Sequence, residues 1–316
     1  MGRFTAILTK YRRIVNFFIS DIWHLEMSEI SRFKARLIKY TKVFIMTIKG
    51  FGMDMAGMQA TTLSFFSAMS LVPFIAVIFA ITKGFGLSDK LIELIYTNFS
   101  GNEEVITYLL KFANNVVAST EKGLFGIISF LFFISTVFGL MMSVERSFNL
   151  IWKTGNGRSF HKKIMYYTIF LIISPLLILS FLALAVIYIN AIESLGSSLN
   201  DIIPITSIFT WLAFYALVTL VFSLMYKFIP NTRVKFVASI NAALIVAAAF
   251  VVVQLLYLET QIMVSGLNAV YGVFAAVPLF LVWMNISWTI ILFGAELSHA
   301  FQNVDNYKFN HGQKIK

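Results

Sequence analysis

The stretch FVASINAALIVAAAFVVVQLLYL, residues 236–258, contains no Asp, Glu, Lys or Arg. A helix crosses the hydrocarbon layer of a membrane with about 20 mainly apolar residues, because each residue adds about 1.5 Å of length. The stretch therefore predicts a transmembrane helix. Small residues recur along it at every fourth position, at Ser239, Ala243 and Ala247. This spacing places them on one helix face and predicts close approach of a neighbouring helix.

Five further uncharged runs share this character, at about 55–82, 123–144, 164–190, 202–226 and 274–295. The whole chain is 59% hydrophobic and 13% charged, whereas soluble domains are about 45–50% apolar and about 25% charged. The sequence thus predicts an all-α polytopic membrane protein with six transmembrane helices. Its predicted domains are a basic cytoplasmic or interfacial arm (1–52), a six-span membrane domain (53–300) and a cytoplasmic tail (301–316).

The Lys and Arg residues are strongly biased towards one set of connections. Of 25 in total, 21 lie before the first predicted span, in the loops after the second and fourth spans, or in the tail. Short loops rich in Lys and Arg stay in the cytoplasm. The bias therefore predicts that both chain termini are cytoplasmic, as an even number of spans requires.

Two segments outside the predicted spans have helical amphipathic patterns. In residues 30–49 the basic side chains lie mostly opposite an apolar face formed by Ile30, Phe33, Leu37, Phe44 and Ile48. A basic amphipathic helix of this kind either lies in the headgroup layer of anionic lipid or packs on the bundle, and the pattern leaves both open. In the outward loop 83–122, helical spacing predicts one amphipathic helix, through Val105, Leu109, Phe112 and Val116.

The chain lacks the residues that several kinds of chemistry require. There is no cysteine, which excludes disulfides and thiol catalysis. The four histidines are not spaced as ligand pairs, and no carboxylate cluster suits a metal-dependent nuclease. The stretch GNGRSF (155–160) lacks the Gly-Lys-Ser/Thr ending of a phosphate-binding loop. We therefore expect no cofactor, no metal, no nucleic-acid partner and no enzymatic activity.

Four stretches occur in an order and spacing that resemble one family. They are ATTLSFFSAMSLVPF (60–74), SVERSFNLIWKTGNGRSF (143–160), YKFIPNTRVKF (226–236) and YGVFAAVPLFLVWMNISWTIILFGAE (271–296). Together they resemble the YihY/BrkB family of bacterial inner-membrane proteins over about residues 49–301. The resemblance implies an α-helical protein with about six spans in the inner membrane, linked to the cell envelope and suspected of transport. The family's former label, ribonuclease BN, is regarded as an error, in agreement with the missing nuclease residues.

Structural roles are predicted for five residues of these stretches: Pro73, Trp152, Pro230, Asn231 and Pro278. Pro230 and Asn231 fit a turn between the fourth and fifth spans. Pro73 and Pro278 lie in mid-span, either in the broken helices of a transporter or in ordinary kinked helices. Ordinary helices are the better explanation, because proline is common in membrane spans.

Charged and polar residues gather at the predicted cytoplasmic ends of the spans. The candidate substrate-binding residues are Asp54, Glu145, Arg146, Arg158, Arg233, Asn285 and Glu296. Lone charges are costly in lipid, so they pair or face water. These residues therefore form either a network in which arginine holds an anionic headgroup, or a set of separately solvated side chains. Asn285 lies within a span and either lines a cavity or bonds a neighbouring helix.

These features favour a transporter or flippase-like protein in envelope biogenesis that moves an anionic lipid or other anionic amphiphile. The alternative is a membrane scaffold that positions envelope machinery through the basic arm. A membrane-embedded enzyme ranks last, because no catalytic constellation lies within the spans. The expected partners are membrane lipids, with an anionic lipid or amphiphile as the substrate.

Overall fold

The computed structural model describes residues 22–24, 31–84, 86, 92–93, 107, 111, 115, 124–155, 157–169, 172, 205–265 and 273–306. The long helices in it are α1 (Arg32–Met53), α2 (Ala56–Gly84), α3 (Leu124–Ile151), α4 (Ile205–Phe228), α5 (Phe236–Ser265) and α6 (Val273–Asn303). Residues 22–24 form a helical turn, residues 160–169 are also helical, and the 3-10 turn Val304–Asn306 follows α6. Most of the predicted span 164–190 and of the outward loop 83–122 lies outside the described residues.

Five predicted spans coincide with helices, but three of these helices continue about two turns further than the apolar runs. α3 ends at Ile151 rather than near 144, α5 at Ser265 rather than near 258, and α6 at Asn303 rather than near 295. In α3 and α6 a charged residue ends the apolar run without ending the helix. The candidate residues Glu145, Arg146 and Glu296 are therefore held on rigid helical backbone.

Apolar segments long enough to cross a membrane are present in the described part of the chain. Two helical segments qualify, Phe236–Tyr257 and Pro278–Asn303, and α4 carries a shorter apolar stretch, Leu212–Phe228. Large apolar side chains such as Leu131, Phe132 and Val282 are exposed on the outside of the helices. The full set of six spans stays a prediction.

Helix α6 is the centre of the assembly. It packs against α1, α2 and α5, while α4 packs on α5 and α3 packs on α2. The small face predicted for α5 is confirmed, because Ser239, Ala243 and Ala247 are all fully buried. Helices α4 and α5 come very close to α6 at Gly294. A Cβ atom there would lie 2.6 Å from Cζ of Tyr226 on α4 and 2.7 Å from Cγ2 of Val246 on α5.

The two mid-span prolines lie in unbroken helices. α2 runs from Ala56 to Gly84 through position 73, and α6 runs from Val273 to Asn303 with Pro278 inside it. The broken-helix interpretation is therefore not supported, and the interpretation as ordinary membrane helices holds for both.

Helix α1 adopts one of the two arrangements that its sequence left open, packing on the bundle. Val43, Met46 and Thr47 are buried on the bundle, so the helix does pack on it. The predicted apolar face points away, with Phe33 78% exposed, Leu37 62% and Phe44 56%. The helix thus buries a narrow strip of medium-sized residues and leaves its large apolar side chains uncovered by the described residues.

Candidate functional site

The polar connections meet at one end of the bundle. Four segments lie there: the α1–α2 turn at Asp54, the segment 152–159 after α3, the α4–α5 loop 229–235 and the C-terminal end of α6. Hydrogen bonds, an ion pair and close carboxyl groups join them. We call this region the polar end. The charge bias of the sequence assigned these connections to one side, and the structure brings them into contact.

A buried carboxylate organises half of the polar end. Glu145 of α3 is 2% exposed, and its Oε2 lies 3.5 Å from Nη1 of Arg158. The phenol of Tyr167 donates a hydrogen bond to the same Oε2, and the Arg158 backbone N–H lies 3.4 Å from Oε1. A buried charge needs partners of this kind, since an unpaired one would be strongly destabilising.

Arg158 also holds the α4–α5 loop. Its Nη1 donates to the carbonyl of Ile229 at 2.9 Å, and its Nη2 donates to the carbonyl of Phe228 at 2.7 Å. The guanidinium lies 4.9 Å from the ring centroid of Tyr166. Both Nη groups are therefore bound by the protein, so Arg158 is a structural residue in this conformation rather than an open anion site.

Side chains from three neighbouring elements satisfy the rest of this loop. The N–H of Asn231 donates to Oδ1 of Asn149 at 2.7 Å, and the N–H of Lys235 donates to Oε1 of Gln302 at 2.7 Å. Lys227 Nζ donates to the carbonyl of Val234 at 2.9 Å. The predicted turn at Pro230 and Asn231 is therefore a fixed part of the bundle. Arg233 points outward as an exposed side chain.

Arg146 differs from its neighbour Glu145 because successive helical residues point in different directions. Arg146 is exposed and lines two cavities, one of about 630 Å³ between α2 and α3 and one of about 600 Å³ between α3 and the segment that follows it. The first also contains Asp54 and Gln59, and the second contains Glu145 and Lys163. Phe66 and Leu150 belong to both linings. Each cavity therefore joins a cationic group to an apolar wall.

A second buried carboxyl group lies across the polar end. Glu296 of α6 is 2% exposed, and its carboxyl is in hydrogen-bonding range of the Asp54 carboxyl. Gly50 of α1 makes room for it, because a Cβ at Gly50 would lie 3.0 Å from Cδ of Glu296. Lys153 is the charged neighbour on the α3 side. Trp152, buried at the end of α3, makes an edge contact with His299 at 5.2 Å between ring centroids.

Two residues beside these groups have left-handed backbone without being glycine. They are Met55 in the α1–α2 turn (φ 51°) and Lys153 after α3 (φ 52°). Such a conformation costs about 1 kcal/mol or more for a residue with a Cβ. The turns that bring Asp54 and Lys153 to the polar end are therefore mildly strained.

Asn285 forms an inter-helix hydrogen bond. Its Nδ2 donates to Oγ1 of Thr61 on α2 at 3.0 Å, and one turn further on, Trp288 Nε1 donates to Oγ of Ser67 at 2.9 Å. Of the two interpretations of Asn285, helix bonding therefore describes this structure. The Asn285 bond joins α6 to α2 within the apolar part of the bundle.

The basic helix α1 is also tied to the polar end. Lys39 Nζ lies 2.8 Å from Oδ2 of Asp305, just after α6, and Tyr40 packs edge-on against Phe301. Lys42 is buried, with Nζ 5.7 Å from the ring centroid of Trp23. Burial lowers the pKa of the Lys42 ammonium, and the nearby Asp305 carboxylate opposes this shift. Within the described residues no group of three His, Asp or Glu side chains could hold a metal ion.

Sequence reasoning missed several residues of the polar end. Tyr167 and Gln302 were not singled out because their partners are far away in the sequence. Gly50 gave no signal beyond being a glycine in an amphipathic helix. Lys153 and His299 read as ordinary polar residues of a loop and a helix end. Only the fold shows that Tyr167, Gly50 and Lys153 lie beside the carboxyl groups. It also shows that Gln302 binds the α4–α5 loop and that His299 contacts Trp152.

The long apolar helices and the polar end define this chain as an all-helical membrane protein. Comparison with known protein families identifies the family within this class. The family described as Virulence factor BrkB matches residues 47–315, and the chain belongs to this family. No solved structure matches the chain.

Three similar proteins are named as membrane proteins. The UPF0761 membrane protein of Chromohalobacter salexigens is 30% identical over 253 residues, covering 76% of this chain and 58% of the relative. That of Pseudomonas aeruginosa strain LESB58 is 29% identical over 250 residues, covering 77% and 59%. That of Haemophilus influenzae is 27% identical over 267 residues, covering 81% and 93%. The chain thus spans less than two thirds of the first two relatives and nearly all of the third.

Proposed function

We propose that the protein is a transporter or flippase-like protein for an anionic amphiphile, such as an anionic lipid of the cell envelope. The observation that carries the proposal is the position of Arg146 between two cavities, each of which combines polar groups with an apolar wall. The proposed role is non-enzymatic. The residue that would meet the substrate's charge is Arg146, since Arg158 is occupied by the loop carbonyls and Glu145.

The cavity dimensions and linings suit an amphiphile. Volumes of about 630 and 600 Å³ fall in the range of small-molecule sites, about 300–1,000 Å³. Met53, Met55 and Met58 line the first cavity, and methionine adapts to irregular apolar chains because it is unbranched and polarisable. A guanidinium beside such a wall suits a phosphate or carboxylate headgroup with an acyl tail.

The proposal includes the arrangement in the membrane that the charges predict: six spans in the bacterial inner membrane, with the polar end and both termini in the cytoplasm. The absence of cysteine makes single-cysteine labelling direct. Lys235→Cys at the polar end should react with a membrane-impermeant maleimide only after the cells are opened. Lys111→Cys should react in intact cells with a permeable outer membrane. Labelling with the reverse pattern would refute this orientation.

The transport proposal is tested with purified protein in liposomes. Fluorescent phosphatidylglycerol should cross the bilayer faster with the wild-type protein than in protein-free liposomes. Arg146→Gln should slow it about tenfold or more, because a hydrogen bond to a charged group contributes about 1.5–3 kcal/mol and about 1.4 kcal/mol is a tenfold change in rate. Arg233→Gln is the matched control and should have no effect, since Arg233 is exposed and lines neither cavity. No movement with wild-type protein, or equal rates for the two variants, would contradict the proposal.

A second candidate function is a membrane scaffold, and the uncovered apolar face of α1 favours it. Deleting α1 would be a poor test, because Val43 and Met46 pack on α6. Phe33→Ser with Leu37→Ser changes only exposed side chains. If the protein is a scaffold, this variant should remain folded yet lose its partners in cross-linking and its envelope phenotype. Unchanged partners and phenotype would rule out a scaffold that works through this face.

A further inference from the structure

Asp54 and Glu296 bring two carboxyl groups together from two different elements, and of the two residues Glu296 is buried and Asp54 is half-buried. Asp54 lies in the α1–α2 turn and Glu296 on α6, and the two carboxyl groups are in hydrogen-bonding range. Glu296 is 2% exposed. Its Oε1 and the Oδ2 of Asp54 are both buried without a hydrogen-bond partner in the part of the chain that the structure describes. The structure thus holds two acids together and leaves one oxygen of each unused.

No cation neutralises this pair at contact distance. Ion pairs join Lys39 with Asp305 and Arg158 with Glu145, and no ion pair between described residues includes Asp54 or Glu296. Lys153 is near enough to act on Glu296 only through space. The pair therefore differs from Glu145, which has a guanidinium, a phenol and a backbone N–H as partners.

Among the described residues, the other titratable groups around Asp54 and Glu296 provide no ion-pair partner for either carboxyl group. On α6 itself, the half-buried His299 makes an edge contact with Trp152. From α4 comes the Tyr226 phenol, whose oxygen is buried without a partner among the described residues. The beginnings of α2 and α5, which pack on α6 at this end, contain no titratable residue. α1 contributes the backbone of Gly50, which follows Lys49 in the sequence. α3 directs Glu145 to Arg158 and Arg146 to the cavities, one of which Asp54 also lines.

Two adjacent carboxyl groups, one of them buried, do not readily both ionise, because each charge opposes the other and burial opposes the charge on the buried group. Such pairs share one proton and titrate together. We propose that Asp54 and Glu296 form a proton-binding site that holds one shared proton at neutral pH. Asp54 also lines the cavity that contains Arg146, so the site lies in the wall of the proposed substrate cavity.

This position links the proton to an anion in the cavity, a consequence that rests on the proposed function. A negative headgroup beside Asp54 disfavours the second negative charge on the pair, so anion and proton bind with positive coupling. By reciprocity, the proton strengthens binding of the anion as much as the anion strengthens binding of the proton. A transporter built in this way carries an anion together with a proton.

Infrared difference spectroscopy of the full-length protein in nanodiscs tests the site. The wild-type protein should show the C=O stretch of a protonated carboxyl at neutral pH, shifted in D₂O and lost at alkaline pH. Glu296→Gln should lack this band, whereas Asp305→Asn, an acid-to-amide change in an exposed ion pair, should keep it. Absence of the band from the wild type, or its persistence in Glu296→Gln, would overturn the proposal. If the protonated-carboxyl band were missing and carboxylate bands responded to Na⁺ instead, the pair would be a metal-cation site. That result would also overturn the proposal.

Asp54→Asn provides a second variant in case Glu296→Gln fails to fold. It removes the like charge and offers an amide donor, so the remaining carboxyl should titrate at clearly lower pH than the pair. An unchanged titration would show that the two groups do not share a proton. Dioctanoyl phosphatidylglycerol is the probe for coupling and should move the wild-type titration to higher pH; no movement would refute the coupling. The spectra require no transport, so the proton site and the transport proposal fail or stand separately.

Discussion

Replacement of Arg158 by Gln tests whether the polar end is held together as the structure indicates. The guanidinium donates to the carbonyls of Phe228 and Ile229 at 2.7 and 2.9 Å and faces the buried carboxylate of Glu145 at 3.5 Å. Gln has no charge and is too short to reach both sets of partners. The variant therefore separates the α4–α5 loop from the segment after α3 and leaves Glu145 without its cation.

The expected loss in free energy of unfolding is about 3–5 kcal/mol, the usual effect of removing one partner of a buried ion pair. The side chains of Arg158 and Glu145 are only 13% and 2% exposed, so solvent screens this pair weakly. Arg158→Lys should lose less, about 1–3 kcal/mol, because it keeps the charge but cannot bridge two carbonyls as a planar fork does. Arg158→Gln combined with Glu145→Gln should recover part of the loss, since neither partner is then a buried unpaired charge.

The assay is unfolding of the purified protein in detergent, followed by tryptophan fluorescence. Arg233→Gln is the control, because it removes the same charge from an exposed position in the loop that Arg158 holds. It should change stability by no more than about 0.5 kcal/mol. If Arg158→Gln were as mild as Arg233→Gln, or if the double variant recovered nothing, the assignment of Arg158 as the structural link would be wrong.

Two further predictions concern packing and surface charge. Gly294→Ala should lower stability by about 1–3 kcal/mol, because its Cβ would lie 2.6 Å from Cζ of Tyr226; Gly139→Ala, with open space around the new Cβ, should be neutral or stabilising. Equal melting temperatures for the two variants would contradict the close helix crossing. Lys39→Ala should cost less than about 1 kcal/mol, since the side chains of Lys39 and Asp305 are 43% and 70% exposed. This loss should vanish at high salt, and one that persists there would show that the pair is not screened.

The polar end shows how far sequence patterns reach. They selected Glu145 and Arg146 because both end an apolar run, and Arg158 as an arginine of the basic loop that follows, but they could not separate the roles of the three. The roles of Glu145 and Arg146 differ because their side chains point in different directions from α3. Glu145 points inward to Arg158, and Arg146 points outward to the cavities. Asn285 is a similar case, because its partner Thr61 lies on a helix that is distant in the sequence.

The composition and the order of charged residues along the chain were sufficient to predict the class of protein and the existence and approximate start of most helices. They also predicted which connections lie together at one end of the bundle. These properties are local: an apolar run of sufficient length must be helical in lipid, because its backbone has no other hydrogen-bond partners. The sequence also marked Ser239, Ala243 and Ala247 as a packing face through their spacing alone.

The tertiary structure alone decided which charges meet. Glu296 lies beside Asp54 because α1 crosses α6 at Gly50, the position where the absence of a side chain admits the carboxyl group. Arg158 serves the loop because α3 and α4 end at the same level of the bundle. Such contacts join residues far apart in the chain, and they depend on helix crossings that no local pattern specifies. The carboxyl pair and the Arg146 cavities are therefore properties of the fold.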